Sequence, residues 1–373
     1  MPTLTTPTQL TMEKIERRLL ELHAPIRRET VPISSFRYFA GACPGAREPD
    51  FDDSAWQEFR VGDNWGGYDE VAWFRADVEI PARLMRENLA LRFLVGPRDG
   101  GGSTAGTMLY VNGFPLQAID IWHEEAWLPP EVIADGEIAV ALRAWSGVLD
   151  VPERRRFKVA ELVAIDTGAR TLYYLADTVW KTLQQLDPRD WRHVAMLEGL
   201  EEALALIEWR RPKSPEYYRS VHEALARLQE LSTSWQALEK HKPTVTAVGH
   251  AHLDLAWLWR YRHSREKAGR TFATALHLIR QYPEYRFMHS SPQIYKELER
   301  DHPEIFAQVR ERVKSGEWEI TGGMWVEADV NLPGGESLVR QLLFGRRYIR
   351  EKFGKESKVV WLPDVFGYSQ IGR

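Results

Sequence analysis

The stretch TVTAVGHAHLDLAWLW, residues 244–259, decides how the second half of this chain is interpreted. It opens with β-branched residues, which favour a strand, and then places His250, His252 and Asp254 at every second position. Side chains two residues apart in extended backbone point to the same face. The stretch therefore predicts a strand that ends in a cluster of polar side chains able to bind a metal ion.

Three further strand-like segments follow, and a helical segment precedes each of them. The strand-like segments cover 285–291, 317–327 and 357–367, and the helical segments cover 264–282, 292–316 and 335–354. Strands that alternate with helices form a parallel sheet, because parallel neighbours need a long crossover connection. We predict a parallel βα series over residues 243–373.

Polar residues collect at the C-terminal ends of these strands, where parallel βα architectures carry their functional groups. His252 and Asp254 offer imidazole and carboxylate ligands suited to zinc, and Asp364, at the end of the fourth segment, offers a third ligand. His250 shares their face and either binds the metal or supports a ligand. The pattern predicts one divalent metal ion, with Zn²⁺ as the first choice. Hydrogen-bonded polar residues without a metal are the alternative.

Aromatic side chains flank the predicted ligands. The chain has 15 Trp, and Trp257, Trp325 and Phe366 each lie close to a strand end that carries polar groups. Aromatic rings can stack on the apolar faces of sugars, although core packing is their default role. These three rings are therefore candidates for a sugar-binding wall.

The first 242 residues divide into three segments by the period of their apolar residues. Residues 1–30 contain an amphipathic helix, predicted over 11–29. Residues 31–165 show short alternating strands with a hairpin signal at Asn112-Gly113, which predicts an antiparallel β-sandwich of the jelly-roll type. Residues 166–242 return to helical periodicity and predict a connector of three helices. The fold class is α+β and multidomain.

Composition excludes some classes of function. The 373 residues carry 49 Lys plus Arg and 53 Asp plus Glu, a net charge of −4, without a basic run of the kind that binds nucleic acid. No apolar run has the length of a membrane-spanning helix, and the first residues lack the apolar core of a signal peptide. Cys43 is the one cysteine, which fits a reducing compartment. We expect a cytoplasmic protein that binds neither nucleic acid nor a membrane.

Three stretches resemble successive signatures of the glycoside hydrolase family 38 α-mannosidases: GHAHLDLAWLW, GGMWVEADVNLPGGESLVRQLLFG and WLPDVFGYS. The most similar variant is the cytosolic and vacuolar type. The resemblance is specific over residues 244–373 and looser before them. It implies a (β/α)7 barrel, with residues 243–373 as its first half, and the retaining hydrolysis of terminal α-linked mannose from oligosaccharides.

The resemblance also implies roles for individual residues. His252 and Asp254 would bind the metal ion, usually zinc in this family, and Asp364 would be both ligand and nucleophile. His250 would support the ligands. Substrate contacts are expected from Trp257, Trp325, Asp329 and Phe366.

In relatives, a second His ligand and the acid/base Asp lie further downstream. We therefore expect this chain to be the N-terminal part of a longer enzyme and to be inactive alone. Two alternatives stay open: an amidohydrolase-like metal hydrolase that uses His250 with His252, and a non-catalytic module that binds carbohydrate or serves in assembly. A homo-oligomer also stays open, and the sequence fixes neither the oligomeric state nor the linkage preference.

Overall fold

The computed structural model describes residues 7–96, 106–148, 154–238 and 243–367, and an antiparallel β-sandwich occupies residues 27–165. Its strands are β1 (Arg27–Pro32), β2 (Ser35–Ala40), β3 (Gln57–Arg60), β4 (Asn64–Trp65), β5 (Val71–Glu79), β6 (Leu89–Leu94), β7 (Gly106–Val111), β8 (Phe114–Ile119), β9 (Glu125–Trp127), β10 (Glu137–Trp145), β11 (Arg155–Arg156) and β12 (Val159–Ile165). The larger sheet has the order β3-β2-β5-β10-β7-β8, the smaller sheet has the order β1-β12-β6-β9, and β4 pairs with β11.

The sandwich core lies between the two sheets and is rich in aromatic rings. Phe74 and Phe157 are fully buried, with ring centroids 5.2 Å apart in an edge-to-face arrangement that aromatic quadrupoles favour. At one edge, Asn112 and Gly113 form the turn between β7 and β8, both with positive φ, as a tight hairpin turn requires. The predicted hairpin and sandwich are confirmed.

Helices cover the outer face of the smaller sheet. Helix α1 (Pro7–His23) precedes the sandwich, and the short helix α2 (Pro130–Ile133) lies within it. Helices α3 (Thr167–Leu183), α4 (Trp191–Ala205) and α5 (Pro215–Leu238) follow it. Ala90 and Val163 of the smaller sheet join the apolar core of these helices. The three predicted connector helices are confirmed.

The first helix ends earlier than the sequence pattern indicates. We predicted a helix over 11–29, but α1 ends at His23, and residues 27–32 form strand β1 beside β12. Pro25 explains the difference, because a residue without an N–H cannot continue the helical hydrogen bonds. Residues 24–26 form a 3₁₀ turn instead.

The last described region alternates strands and helices around a small parallel sheet. Its elements are β13 (Gly249–His250), α6 (Tyr261–Gln281), β14 (Phe287–His289), α7 (Pro292–Asp301), α8 (Pro303–Ser315), β15 (Trp318–Ile320) and α9 (Gly335–Phe353). The sheet order is β13-β14-β15 and both pairings are parallel, as predicted.

The predicted fourth strand is wrong. Residues 357–367 belong to no strand, and Val359 and Val360 are about half exposed. An apolar run becomes a strand only where a neighbour pairs with its N–H and C=O groups, and Pro363 has no N–H to pair. The segment instead lies across the ends of the existing strands: a Cβ built on Gly322, just after β15, would be 3.6 Å from Trp361 Cβ.

Helix α6 packs on the outer face of the larger sheet. Trp73, Met108 and Tyr110 of that sheet share one apolar core with Phe272 and Leu276 of the helix. Strand β7 is therefore buried on both faces, whereas β2 and β3, at the far edge of the sheet, are exposed on one face.

Polar contacts fasten the same interface. The N–H of Ala118 donates to Thr274 Oγ1 at 3.0 Å, and Arg143 pairs with Glu266 at 2.7 Å. At the start of the helix, Asp69 accepts from Trp145 Nε1 at 3.1 Å and contacts His263 at 2.8 Å.

Among the described residues, no helix is long and apolar enough to cross a membrane.

Candidate functional site

Three of the predicted ligands meet beyond the carboxyl end of β13. His252 Nε2 lies 3.3 Å from Asp254 Oδ1 and 3.6 Å from Asp364 Oδ2. One ligand atom from each of the three residues lies within 4.8 Å of the others. Two of these residues follow β13, and the third comes from the segment after α9, more than 100 positions away. The fold thus brings together residues that the sequence pattern selected.

These separations suit a metal ion. For a tetrahedral zinc site with ligand bonds near 2.0–2.2 Å, neighbouring ligand atoms are separated by roughly 3.3–3.6 Å. The two distances from His252 Nε2, 3.3 and 3.6 Å, fall at these values. One imidazole nitrogen with two carboxylate oxygens is also a donor set that zinc accepts. Two of the three separations and the donor set therefore fit the ion, and the third, between Asp254 and Asp364, is within 4.8 Å.

Glu327 contacts the ring nitrogen of His252 that faces away from Asp254 and Asp364. Its Oε2 contacts His252 Nδ1, its Oε1 accepts from Ser290 Oγ, and its side chain is almost fully buried. The sequence pattern did not predict this contact between Glu327 and His252. A signal was available, because Glu327 follows β15 as His252 and Asp254 follow β13, but a strand-end position does not tell which neighbour a carboxylate will contact.

This contact decides which nitrogen of His252 faces the other ligands. An ionised carboxylate only accepts, so Nδ1 carries the proton that Glu327 accepts. The lone pair of Nε2 is then directed at Asp254 and Asp364, which is the tautomer that a metal ligand needs. Burial by itself would lower the pKa of His252, but the nearby Glu327 and Asp254 carboxylates outweigh it and raise the pKa above its ordinary value. A divalent cation and a second proton would compete for Nε2.

His250 faces a different neighbour. Its Nε2 accepts a hydrogen bond from Trp361 Nε1 at 3.1 Å, and its ring stacks near His289 with centroids 6.1 Å apart. Burial lowers the pKa of His250, and it lowers the pKa of the buried His289 to about 3, so both rings are neutral near pH 7. The structure therefore brings His250 beside the three-residue group without directing its Nε2 into that group.

The predicted aromatic wall divides into two parts. Trp257 and Phe366 are exposed, at 62% and 87%, on the two segments that carry Asp254 and Asp364. Trp325 lies elsewhere: its Nε1 donates to Gln293 at 2.6 Å, and its ring packs edge-on against Tyr348. The described contacts of Trp325 are thus with α7 and α9.

Asp329 shapes the loop beside the site. Its Oδ1 accepts from the N–H groups of Asn331 and Leu332, at 2.7 and 3.1 Å. Gly367, with φ of +100°, comes so close to Asn331 that a Cβ there would lie 2.8 Å from the Asn331 amide nitrogen. The loops that follow β15 and α9 therefore meet at Gly367 and Asn331.

Comparison with known proteins agrees with the motifs. Residues 242–371 match the model of the glycosyl hydrolases family 38 N-terminal domain, and residues 46–140 match the model of the alpha-mannosidase jelly roll domain. The resemblance to glycoside hydrolase family 38 is confirmed. A jelly roll followed by the family 38 N-terminal domain is also the domain order that we predicted.

Individual proteins similar to this chain are named alpha-mannosidases. Alpha-mannosidase of Saccharomyces cerevisiae is 28% identical over 333 residues, which cover 84% of this chain and 30% of the yeast protein. Alpha-mannosidase 2C1 of Homo sapiens is 27% identical over 361 residues, covering 89% and 33%. Alpha-mannosidase G of Dictyostelium discoideum is 44% identical over 125 residues, covering 34% and 12%. The chain thus spans about a third or less of the length of these relatives.

Among solved structures, a mutant of Bacteroides uniformis beta-glucuronidase 2 is similar at 17% identity and a TM-score of 0.30, over 36% of this chain and 18% of that one. A likeness of this size carries no argument about the site.

Proposed function

We propose that this chain carries the metal site and the nucleophile of a retaining α-mannosidase that removes terminal α-linked mannose from oligosaccharides. The observation that supports this most directly is the position of Asp364. Its Oδ2 lies 3.6 Å from His252 Nε2, within a segment that matches the family 38 N-terminal domain. In this proposal the three-stranded parallel sheet is part of a (β/α)7 barrel, and the protein is cytoplasmic, as its single cysteine suggests.

His252, Asp254 and Asp364 would hold one divalent metal ion, for which zinc fits the donor set best. When bound, the ion would supply positive charge that holds adjacent sugar hydroxyls and favours distortion of the ring toward the transition state. Glu327 would keep His252 in the tautomer that leaves Nε2 free to bind.

Asp364 would act as the nucleophile. Its side chain is about half exposed, so a sugar can reach it, and the oxygen that does not face His252 is available for attack. That oxygen would form a bond to the anomeric carbon while the bond from this carbon to the leaving oxygen breaks, and the leaving oxygen takes a proton from a general acid. Water then attacks the same carbon, which releases mannose with its original configuration and restores the carboxylate.

The proton donor of a retaining glycosidase lies about 5–5.5 Å from the nucleophile. Glu327 is the buried carboxylate next to His252, but both of its oxygens are engaged, by His252 and Ser290. We therefore give Glu327 a positioning role and assign the proton donor to none of the described residues.

Trp257 and Phe366 would hold the apolar face of the mannose ring, since both rings are exposed beside the proposed ligands. Asp329 would accept a sugar hydroxyl through Oδ2, because Oδ1 is occupied by two backbone N–H groups. Neither alternative from the sequence is favoured: an amidohydrolase-like site would need His250 as a ligand, and its Nε2 is engaged by Trp361.

A mechanism-based label would test the nucleophile. The full-length gene product would be incubated with 5-fluoro-mannosyl fluoride, which forms a slowly hydrolysed glycosyl ester. The labelled peptide would then be identified by mass spectrometry. We expect the label on Asp364 and no label in Asp364→Asn. Glu336→Gln, a matched change at an exposed carboxylate of α9 that has no role in the proposed site, should keep it. A label on another carboxylate would refute the assignment of Asp364.

A further inference from the structure

A second cleft lies on the other side of β13, between the sandwich and helix α6. Its volume is about 490 Å³, a size that suits a small ligand. The sandwich contributes the segment from Asp120 to His123, and α6 contributes Lys267 and Arg270. The metal ligands proposed above do not line it.

Arg270 is a buried cation that pairs with no residue the structure describes. Its side chain lies on the floor of the cleft against Gly106, where an added Cβ would come within 2.6 Å of the guanidinium carbon. The residue is 7% exposed, and no hydrogen bond or ion pair from its guanidinium to any described residue is found. Burial lowers the pKa of this guanidinium to about 10, which shows how unfavourable its surroundings are for a positive charge. A buried charge of this kind is costly unless an opposite charge meets it.

Lys267 adds a second positive charge on the same face of the helix, three residues earlier. Its ammonium group lies 3.9 Å from the centroid of the Trp259 ring and forms no ion pair with a described carboxylate. Burial, and then the charge of Arg270, lower the pKa of Lys267.

Two carboxylates lie near these cations. Glu266 pairs with Arg143 at 2.7 Å through Oε1, while its buried Oε2 has no hydrogen-bond partner among the described residues and its charge also acts on Arg270. Asp120 contacts the ring of His123 at 2.9 Å and accepts from the backbone N–H groups of Trp122 and His123. Arg143, Arg270 and Lys267 therefore face two carboxylates, which leaves positive charge in excess inside the cleft.

We propose that this cleft binds the phosphate group of a small ligand between Arg270 and Lys267. A guanidinium offers paired N–H donors that match phosphate oxygens, and the ammonium group adds a second charge. The rim carries Trp122, which is 83% exposed and offers a ring face to an organic group. A sugar phosphate would use the rim as well as the floor, whereas inorganic phosphate would use the floor alone.

The test is calorimetric titration of the 373-residue chain with inorganic phosphate and with glucose 6-phosphate. A chelator would be present throughout to keep the proposed metal site out of the measurement, and neutral glucose would be titrated in parallel. The variants are Arg270→Met, Lys267→Met and, as a control, Arg280→Met, which removes an exposed cation from the same helix.

We expect saturable binding of at least one phosphate at millimolar concentration or below. Arg270→Met and Lys267→Met should each weaken it about tenfold or more, because each loses charge-assisted hydrogen bonds, and Arg280→Met should leave it unchanged. Glucose 6-phosphate that binds more tightly than inorganic phosphate identifies a sugar phosphate as the ligand, and equal affinities identify the free anion.

Absence of binding by the unaltered chain, equal binding of neutral glucose, or binding that survives Lys267→Met would each overturn the proposal. Lys267 is only half-buried, so its variant keeps the test decisive if Arg270→Met does not fold.

Discussion

Replacing Glu327 by Gln should weaken the binding of zinc to the proposed site, although Glu327 is not one of the proposed ligands. Both carboxylate oxygens are used, one by His252 Nδ1 and one by Ser290 Oγ. A Gln side chain has nearly the same shape but offers one accepting oxygen and one donating NH₂ group. The substitution therefore removes the negative charge and forces a choice between two orientations of the amide.

In one orientation the NH₂ group faces His252 Nδ1. That nitrogen must then accept, so the ring proton moves to Nε2, the atom that faces Asp254 and Asp364. A protonated Nε2 cannot bind a metal. In the other orientation the amide oxygen accepts from Nδ1–H, the correct tautomer is kept, and the hydroxyl of Ser290 must turn to accept from the NH₂ group. Here only the charge is lost.

Partners of this kind contribute about 10–100-fold to metal affinity, which corresponds to roughly 1.4–2.7 kcal/mol. We expect Glu327→Gln to lose affinity in this range, and Ser290→Ala to lose less because it leaves the carboxylate in place. Zinc affinity would be measured at neutral pH by competition with a chelating dye. Glu319→Gln is the matched control, since Glu319 is an exposed carboxylate on β15. An affinity of Glu327→Gln within about twofold of the unaltered chain would refute the positioning role.

Three further outcomes are expected. Asp364→Asn should lower mannosidase turnover by at least about 10³-fold in the protein as its gene encodes it, while circular dichroism stays unchanged, because an amide is not an anionic nucleophile; substantial turnover would contradict the mechanism. Phe272→Ala should lower the free energy of unfolding by about 3–5 kcal/mol in urea titration, since the ring is fully buried beside Trp318, whereas removal of the exposed Phe366 ring should cost far less. For Asp69, burial would raise the pKa, but the hydrogen bond from Trp145 and the nearby positive charges lower it below its ordinary value of 3.8. The folded pKa is thus below the unfolded one, so the ionised carboxylate contributes its full stability above about pH 4 and loses it as the pH falls through the folded pKa. Thermal unfolding between pH 5 and pH 2 should therefore depend less steeply on pH in Asp69→Asn, and an unchanged slope would show that Asp69 contributes nothing.

The sequence predicted the parts of this molecule that follow from local patterns. The turn at Asn112-Gly113 needs positive φ at both residues, and few residue pairs supply it. The three connector helices follow from apolar periodicity. The group at His252, Asp254 and Asp364 could be predicted because parallel strands place their carboxyl ends at one edge of a sheet.

The errors arose where distant neighbours decide the outcome. Residues 357–363 have the composition of a strand, but they pair with no strand among the described residues. The sugar-binding role of Trp325 stays a prediction, and its described ring contacts are with Gln293 and Tyr348. The contact between Glu327 and His252 joins residues 75 positions apart, and one sequence alone does not carry that information.

The contact between the larger sheet of the sandwich and helix α6 has a consequence for dividing this protein into parts. Separate family models match the jelly roll and the region after residue 242, which invites treating them as exchangeable modules. Yet Trp73, Met108 and Tyr110 belong to the same apolar core as Phe272. Cutting the chain at the helical connector would expose apolar surface on each of the two pieces, so both pieces would tend to aggregate. Grafting a different jelly roll onto this chain would therefore require redesign of helix α6 as well.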